Sequence, residues 1–118
     1  MAVSLLTSGN VTPTVAINAQ SASYTFVLAD GNSTVVTLSN ASANTATIPP
    51  NSSVAFPVGT VLNFVQTGAG QTTITQGSGV TITSAGGTSS APKTRVQYSA
   101  ATAIQTSANN WLVIGDIA

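Results

Sequence analysis

The sequence predicts an all-β fold, a compact β-sandwich of jelly-roll type. Three observations predict it. Short runs of β-branched and aromatic residues recur along the chain. Turn signals separate them about every 8 to 12 residues, the spacing of sandwiches and jelly rolls. No segment carries a sustained helical period.

Residues 1–23 contain Pro13 and no aromatic residue. They read as an N-terminal arm or an extra strand, and residues 24–118 as the sandwich module. Tyr24-Thr25-Phe26-Val27-Leu28 is a strong strand signal. It ends at Asp30-Gly31-Asn32, a turn tripeptide, and residues 34–38 resume the pattern, so the pair reads as a hairpin. Residues 44–48 form the next strand. Pro49-Pro50 stops it, because proline cannot donate to a ladder and belongs at an edge or turn.

Residues 53–56 lead to a second turn at Pro57-Val58-Gly59. Thr60-Val61-Leu62-Asn63-Phe64-Val65-Gln66 is dense enough in apolar residues for a central strand, and Gly68-Ala69-Gly70 closes it. Two Thr-Ile-Thr triplets follow, at Thr73 and Thr81, with Ile pointing one way and Thr the other. Two copies are too few for a solenoid, so a hairpin or a tight corner between sheets is expected. Residues 85–92 read as an exposed Gly/Ser-rich loop. Residues 94–99 and 103–106 read as strands, and Ala108-Asn109-Asn110 turns into a last strand at 111–114.

The 118 residues suit one domain. Charged residues make up 3%, and they are Asp30, Lys93, Arg95 and Asp116. Ordinary domains carry about a quarter. Apolar runs are too short for a membrane-spanning helix, which needs roughly 18 to 20 residues. A basic patch for nucleic acid is absent. Residues 1–6 lack the basic and apolar regions of a signal peptide, so a cytoplasmic product is expected. With no cysteine, no disulfide holds the fold.

The inventory for catalysis is thin. General acid–base work needs His or a tuned carboxylate, and only Asp30 and Asp116 are candidates. Asp30 precedes Gly31-Asn32, where an aspartate commonly bonds local backbone. Asp116 follows Gly115 near the C-terminus. Serine and threonine abound without a histidine base, and Lys93 has no signature around it. The stretch Asp30-Gly31-Asn32-Ser33-Thr34 begins like a calcium loop but lacks its later Gly and Glu. Gly68-Ala69-Gly70 lacks the third glycine of a dinucleotide fingerprint. The expectation is no catalytic residue, no metal and no cofactor. Sequons at Asn10, Asn32, Asn40 and Asn51 are ordinary in so Thr/Ser-rich a chain. Tyr24, Phe26, Phe56, Phe64, Tyr98 and Trp111 read as core residues rather than a carbohydrate platform.

Residues 40–60, from Asn40-Ala41-Ser42-Ala43-Asn44 through Ile48-Pro49-Pro50-Asn51 to Phe56-Pro57-Val58-Gly59-Thr60, resemble a module of tailed-bacteriophage structural proteins. Gln66-Thr67-Gly68-Ala69-Gly70-Gln71, Ser78-Gly79-Val80-Thr81-Ile82, Tyr98-Ser99-Ala100-Ala101-Thr102 and Trp111-Leu112-Val113-Ile114-Gly115-Asp116 continue it in order. The resemblance covers about Tyr24 to the C-terminus and leaves residues 1–23 outside.

The resemblance implies a virion component, non-enzymatic and often trimeric. Such modules occur in tail fibres and in head-surface proteins. A chain of little more than the module plus a short arm, without a shaft, fits a capsid decoration (cement) protein. The major capsid protein is then the expected partner, in a homotrimer on the capsid surface, with neither nucleic acid nor membrane. The alternative is a tail-fibre or receptor- or glycan-binding module.

Overall fold

The computed structural model describes residues 14–84 and 90–118. Among these the fold is all-β, as the sequence predicts. The strands are β1 (Ala16–Gln20), β2 (Tyr24–Thr25), β3 (Thr34–Leu38), β4 (Asn44–Ile48), β5 (Val61–Gln66), β6 (Thr72–Gln76), β7 (Thr81–Ser84), β8 (Ala100–Ser107) and β9 (Asn110–Gly115). A short 3-10 turn, Leu28–Gly31, is the one helical element among them.

From β1 to β7, successive strands alternate between two sheets. The larger sheet has the order β1-β3-β5-β8-β9-β7, and the smaller has β2-β4-β6. β1, β3 and β5 stack in parallel, and so do β2, β4 and β6. The first two-thirds of the chain therefore winds as three coils, each giving one strand to each sheet. The antiparallel pair β8–β9 then enters the larger sheet between β5 and β7.

This connectivity corrects three expectations. Antiparallel pairing of strands is confined, among the described residues, to β5–β8 and β8–β9, with isolated bridges besides, so the Greek-key order of a jelly roll is not what the chain follows. β2 and β3 are not a hairpin, because they belong to different sheets and each pairs with the next coil. Residues 94–99 are not a strand. Thr94 makes a single bridge to Ile117, and Tyr98 takes a left-handed φ of 70° that ends extended structure. The two Thr-Ile-Thr triplets fall on β6 and β7, at a corner between the sheets. Of residues 1–23, Ala16–Gln20 is an edge strand on β3, and residues 1–13 lie outside the described part. Residues 85–89 of the expected loop also lie outside it.

One core is shared by both sheets. Val36, Leu38, Leu62, Phe64, Trp111 and Val113 point inward from the larger sheet, and Ala46, Ile48 and Ile74 from the smaller. Large residues face small ones across the ladder. Phe64 pairs with Ala101, and Leu62 with Ala103. Volume is thereby conserved row by row, which close packing requires. Each fully buried large side chain stabilises the fold by about 1.5–3 kcal/mol.

The corners are glycine for a steric reason. The turn after β5 lies directly on the turn after β3, with Gly70 N–H donating to Asn40 O at 2.7 Å. A Cβ at Gly68 would overlap the Asn40 backbone, and one at Gly70 the Ser42 carbonyl. Polar residues that point inward stack as well. Thr72 Oγ donates to Asn44 Oδ1 at 2.7 Å, and Asn44 Nδ2 donates to Ser42 O. Thr94 joins this stack through Thr72 and Gln66, satisfying buried groups that would otherwise be costly.

Candidate functional site

The two carboxylates have different surroundings, and both are engaged by local donors. Asp30 is 2% exposed. It sits in the 3-10 turn under the first coil and accepts three hydrogen bonds. Asn18 Nδ2 donates to Oδ1 at 2.9 Å, and Tyr24 OH and the Val27 N–H donate to Oδ2 at 2.7 and 2.9 Å. The sequence expectation of a backbone-bonding turn aspartate is met by Val27, and the other two donors tie β1 and β2 to the turn. Burial, with the hydrogen bond to Asp30, pushes the Tyr24 phenol up to about 12.

Asp116 follows β9. Arg95 grips it with two parallel bonds, Nε to Oδ1 at 2.6 Å and an Nη to Oδ2 at 3.0 Å, and Ser99 Oγ donates at 2.7 Å. The Arg95 bonds, then the Ser99 bond, hold its carboxyl below the ordinary range. The pair is exposed, so it orders the segment before β8 more than it stabilises the fold.

No group of three or more His, Cys, Asp or Glu residues comes together among the described residues. The calcium-like stretch from Asp30 is turn and strand, with Asp30 consumed by its donors and Thr34 Oγ bonded to the Asn32 and Ala29 carbonyls. A shallow groove of about 350 Å³ opens beside this turn, lined by Leu28, Gly31, Asn32, Ala55, Pro57 and Thr60. No charged side chain lines it.

Five of the six aromatics are core or packed on it. Phe56 and Trp111 meet edge to face at 5.4 Å, as do Tyr24 and Phe26 at 5.8 Å, and Phe26 contacts Phe64. Tyr98 differs. It is 71% exposed and has positive φ, an uncommon conformation for an aromatic residue.

The outer faces of the sheets carry the largest uniform surfaces. On the smaller sheet the outward positions are Thr25, Thr45, Thr47, Thr73 and Thr75, with Thr47 and Thr75 hydroxyls bonded at 2.7 Å. On the larger sheet the outward side chains include Ile17, Val35, Val61, Val65, Ile104, Leu112 and Ile114. Ile17, Val35, Asn63, Thr102 and Ile114 form one row across five strands. Val61, Ile104, Leu112 and Thr83 form another. No charged residue belongs to either row.

Sequence reasoning missed this face. Its signal was present in Val61-Leu62-Asn63-Phe64-Val65, where Val61 and Val65 alternate with the buried Leu62 and Phe64 and Asn63 is the polar exception. That density was read as a central strand, which β5 is. It also means that the strand's second side is not built for water alone. No family model, curated protein or solved structure matches the chain.

Proposed function

We propose that this protein is a capsid decoration protein of a tailed bacteriophage. In this reading it is a compact sandwich of two sheets, assembled as a homotrimer. It binds the major capsid protein on the outer shell and stabilises the shell without catalysis. The observation that carries the reading is the uncharged outer face of the six-stranded sheet, where Ile17, Val61 and Ile114 are exposed beside Asn63, Thr83 and Thr102. Large apolar side chains exposed on an uncharged face favour contact with a partner. The resemblance of residues 24–118 to virion modules supplies the context. Both carboxylates are engaged by local donors, which favours a structural role over acid–base chemistry.

The mechanism is thermodynamic. A protein that binds the assembled shell and not its dissociated subunits stabilises the shell by mass action. A trimer touching several subunits at once gains further from multivalency. Long-range charge steering has little to act on, since Arg95 and Asp116 neutralise each other and Asp30 is buried. Attachment is therefore expected to change little between low and moderate salt.

One observation favours a second reading, recognition of a receptor or glycan at a tail tip. Tyr98 is exposed on a left-handed turn beside the Arg95–Asp116 pair. An electron-microscopy map of the parent virion separates the two. Density for this chain on the capsid surface supports decoration. Its absence there, with density at the tail tip, sinks decoration in favour of recognition.

A further inference from the structure

We infer that the groove beside the 3-10 turn seats the chain's own N-terminal segment, residues 1–13, with the leucine pair Leu5-Leu6 against its apolar wall. This seat goes beyond the capsid reading and does not depend on it.

The groove is built where the segment arrives. β1, β3 and β5 run parallel, so all three begin at one end of the larger sheet. The segments that enter β3 and β5 make the groove. Leu28, Gly31 and Asn32 come from the first, and Ala55, Pro57 and Thr60 from the second. Gly31 lets the two lie close, since a Cβ there would meet the Thr60 methyl at 2.7 Å. The segment that enters β1 is the third of the set. It reaches the lip of the groove, because Ala16 N–H donates to Ser33 O at 2.8 Å and Ser33 follows Asn32.

The chemistry of the groove selects an apolar occupant. Leu28 is 53% exposed although it sits on an ordered turn. Polar atoms around it are already engaged. Thr60 Oγ donates to Pro57 O at 2.6 Å, and Asn32 O accepts from Thr34 Oγ. Carbon surface is what remains, and about 350 Å³ takes a pair of aliphatic side chains. Residues 1–13 carry no charged side chain, and Leu5-Leu6 is their most apolar dipeptide. From Ala16 back to Leu6 the chain can span about 30 Å. The groove begins about one strand spacing, ~4.8 Å, from Ala16. Gly9-Asn10 and Pro13 lie between, residue types that turn a chain back. So short a tether gives an effective concentration on the order of millimolar, which favours this segment over that of a second copy at micromolar concentration.

The chain contains no cysteine, so introduced pairs report without background. Leu5→Cys or Leu6→Cys, each with Ala55→Cys in the full chain, tests contact directly. At least one pair is expected to oxidise to an intrachain disulfide, which runs as a monomer on a non-reducing gel. The same N-terminal changes with Thr47→Cys, on the outer face of the smaller sheet, should stay reduced. Chymotrypsin supplies a readout that needs no cysteine. Cleavage after Leu5 and Leu6 should be several-fold slower in the wild type than in a synthetic peptide of residues 1–13. Leu28→Ser should remove most of that protection and leave the melting temperature unchanged, because Leu28 is half exposed. A disulfide that joins two chains overturns the inference, since another copy then fills the groove. So does the absence of any disulfide with Ala55→Cys, or equal oxidation with Thr47→Cys. Wild-type cleavage at the peptide's rate, or protection that Leu28→Ser leaves intact, overturns it as well. Whether the protein is found on a capsid moves none of these readouts.

Discussion

The two sheets share one core and differ in what they turn outward. The smaller turns outward an array of threonines, and the larger mixes valine, isoleucine and leucine with Thr37, Asn63, Thr83 and Thr102. Both are built from the same strand-forming residues, and the threonine and valine side chains have almost the same shape. Where one face has valine and the other threonine, the difference is one hydroxyl. That hydroxyl decides whether a β-branched surface is satisfied by water or is better covered by protein. Inner faces hold the molecule together, one outer face is lined with threonine, and the other mixes apolar and polar residues.

The largest effects should come from the inner faces and should be equal in kind for both sheets. Trp111, 2% exposed on β9, packs against Phe56, and Ile74 on β6 is completely buried. Trp111→Ala should cost about 3–5 kcal/mol, and Ile74→Ala about 2–5 kcal/mol. Denaturant unfolding followed by tryptophan fluorescence for Ile74→Ala and by circular dichroism for both measures this. A near-neutral result in one sheet would break the claim that a single core serves the two.

Next in size is the seam that joins the sheets at the first coil. Asn18 on β1 and Tyr24 on β2 both donate to Asp30. Tyr24→Phe leaves the ring and removes a donor from a buried carboxylate, which should cost about 1–3 kcal/mol. The pH dependence carries the same signature. The folded phenol titrates near 12 rather than 10.0. Its contribution is present in full below pH 10 and is lost as pH rises toward 12. Asp116 has the opposite sign. Its carboxyl is held low, so its contribution is present above the ordinary carboxylate range and disappears on acidification. With no histidine, the melting temperature should be flat from pH 5 to 8. A steep slope inside that window would contradict the assignment of both carboxylates as structural. In Tyr24→Phe the alkaline loss should disappear.

How much of this was legible in the sequence follows from what each feature depends on. Strand positions were legible, because alternation and turn residues act locally. β3, β4, β5, β6 and β9 lie where the pattern put them. Pairing was not. Tyr24–Thr25 and Thr34–Leu38, separated by a turn tripeptide, look like a hairpin, yet they add to different sheets. The coils also differ in length, Ala16 stacking on Thr34 but Val35 on Asn63, so no period shows along the chain. The role of Asp30 was half legible. Its turn was expected from Gly31-Asn32, but Asn18 and Tyr24 reach it only because β1 and β2 flank the turn. The apolar outer face needed sheet order before Ile17 and Ile114, far apart in the chain, could be placed in one row.

The smallest expected change in stability gives the sharpest test of the contrast between faces. Thr45, Thr47 and Thr75 sit outward on the smaller sheet, and changing all three to valine keeps every β-branch. The Thr47–Thr75 hydroxyl bond is lost, but it lies near solvent and valine is at least as good a strand former. Each change is expected to shift stability by no more than about 0.5 kcal/mol. The association state should respond far more than the melting temperature. The triple variant gives the smaller sheet an apolar outer face like that of the larger one. Its mass by light scattering should rise above that of the wild type, with further growth as concentration increases. If the melt and the mass both stay unchanged, an apolar outer face is not sufficient for association in this protein. Any association through the larger sheet would then depend on its width and row pattern rather than on hydrophobicity alone.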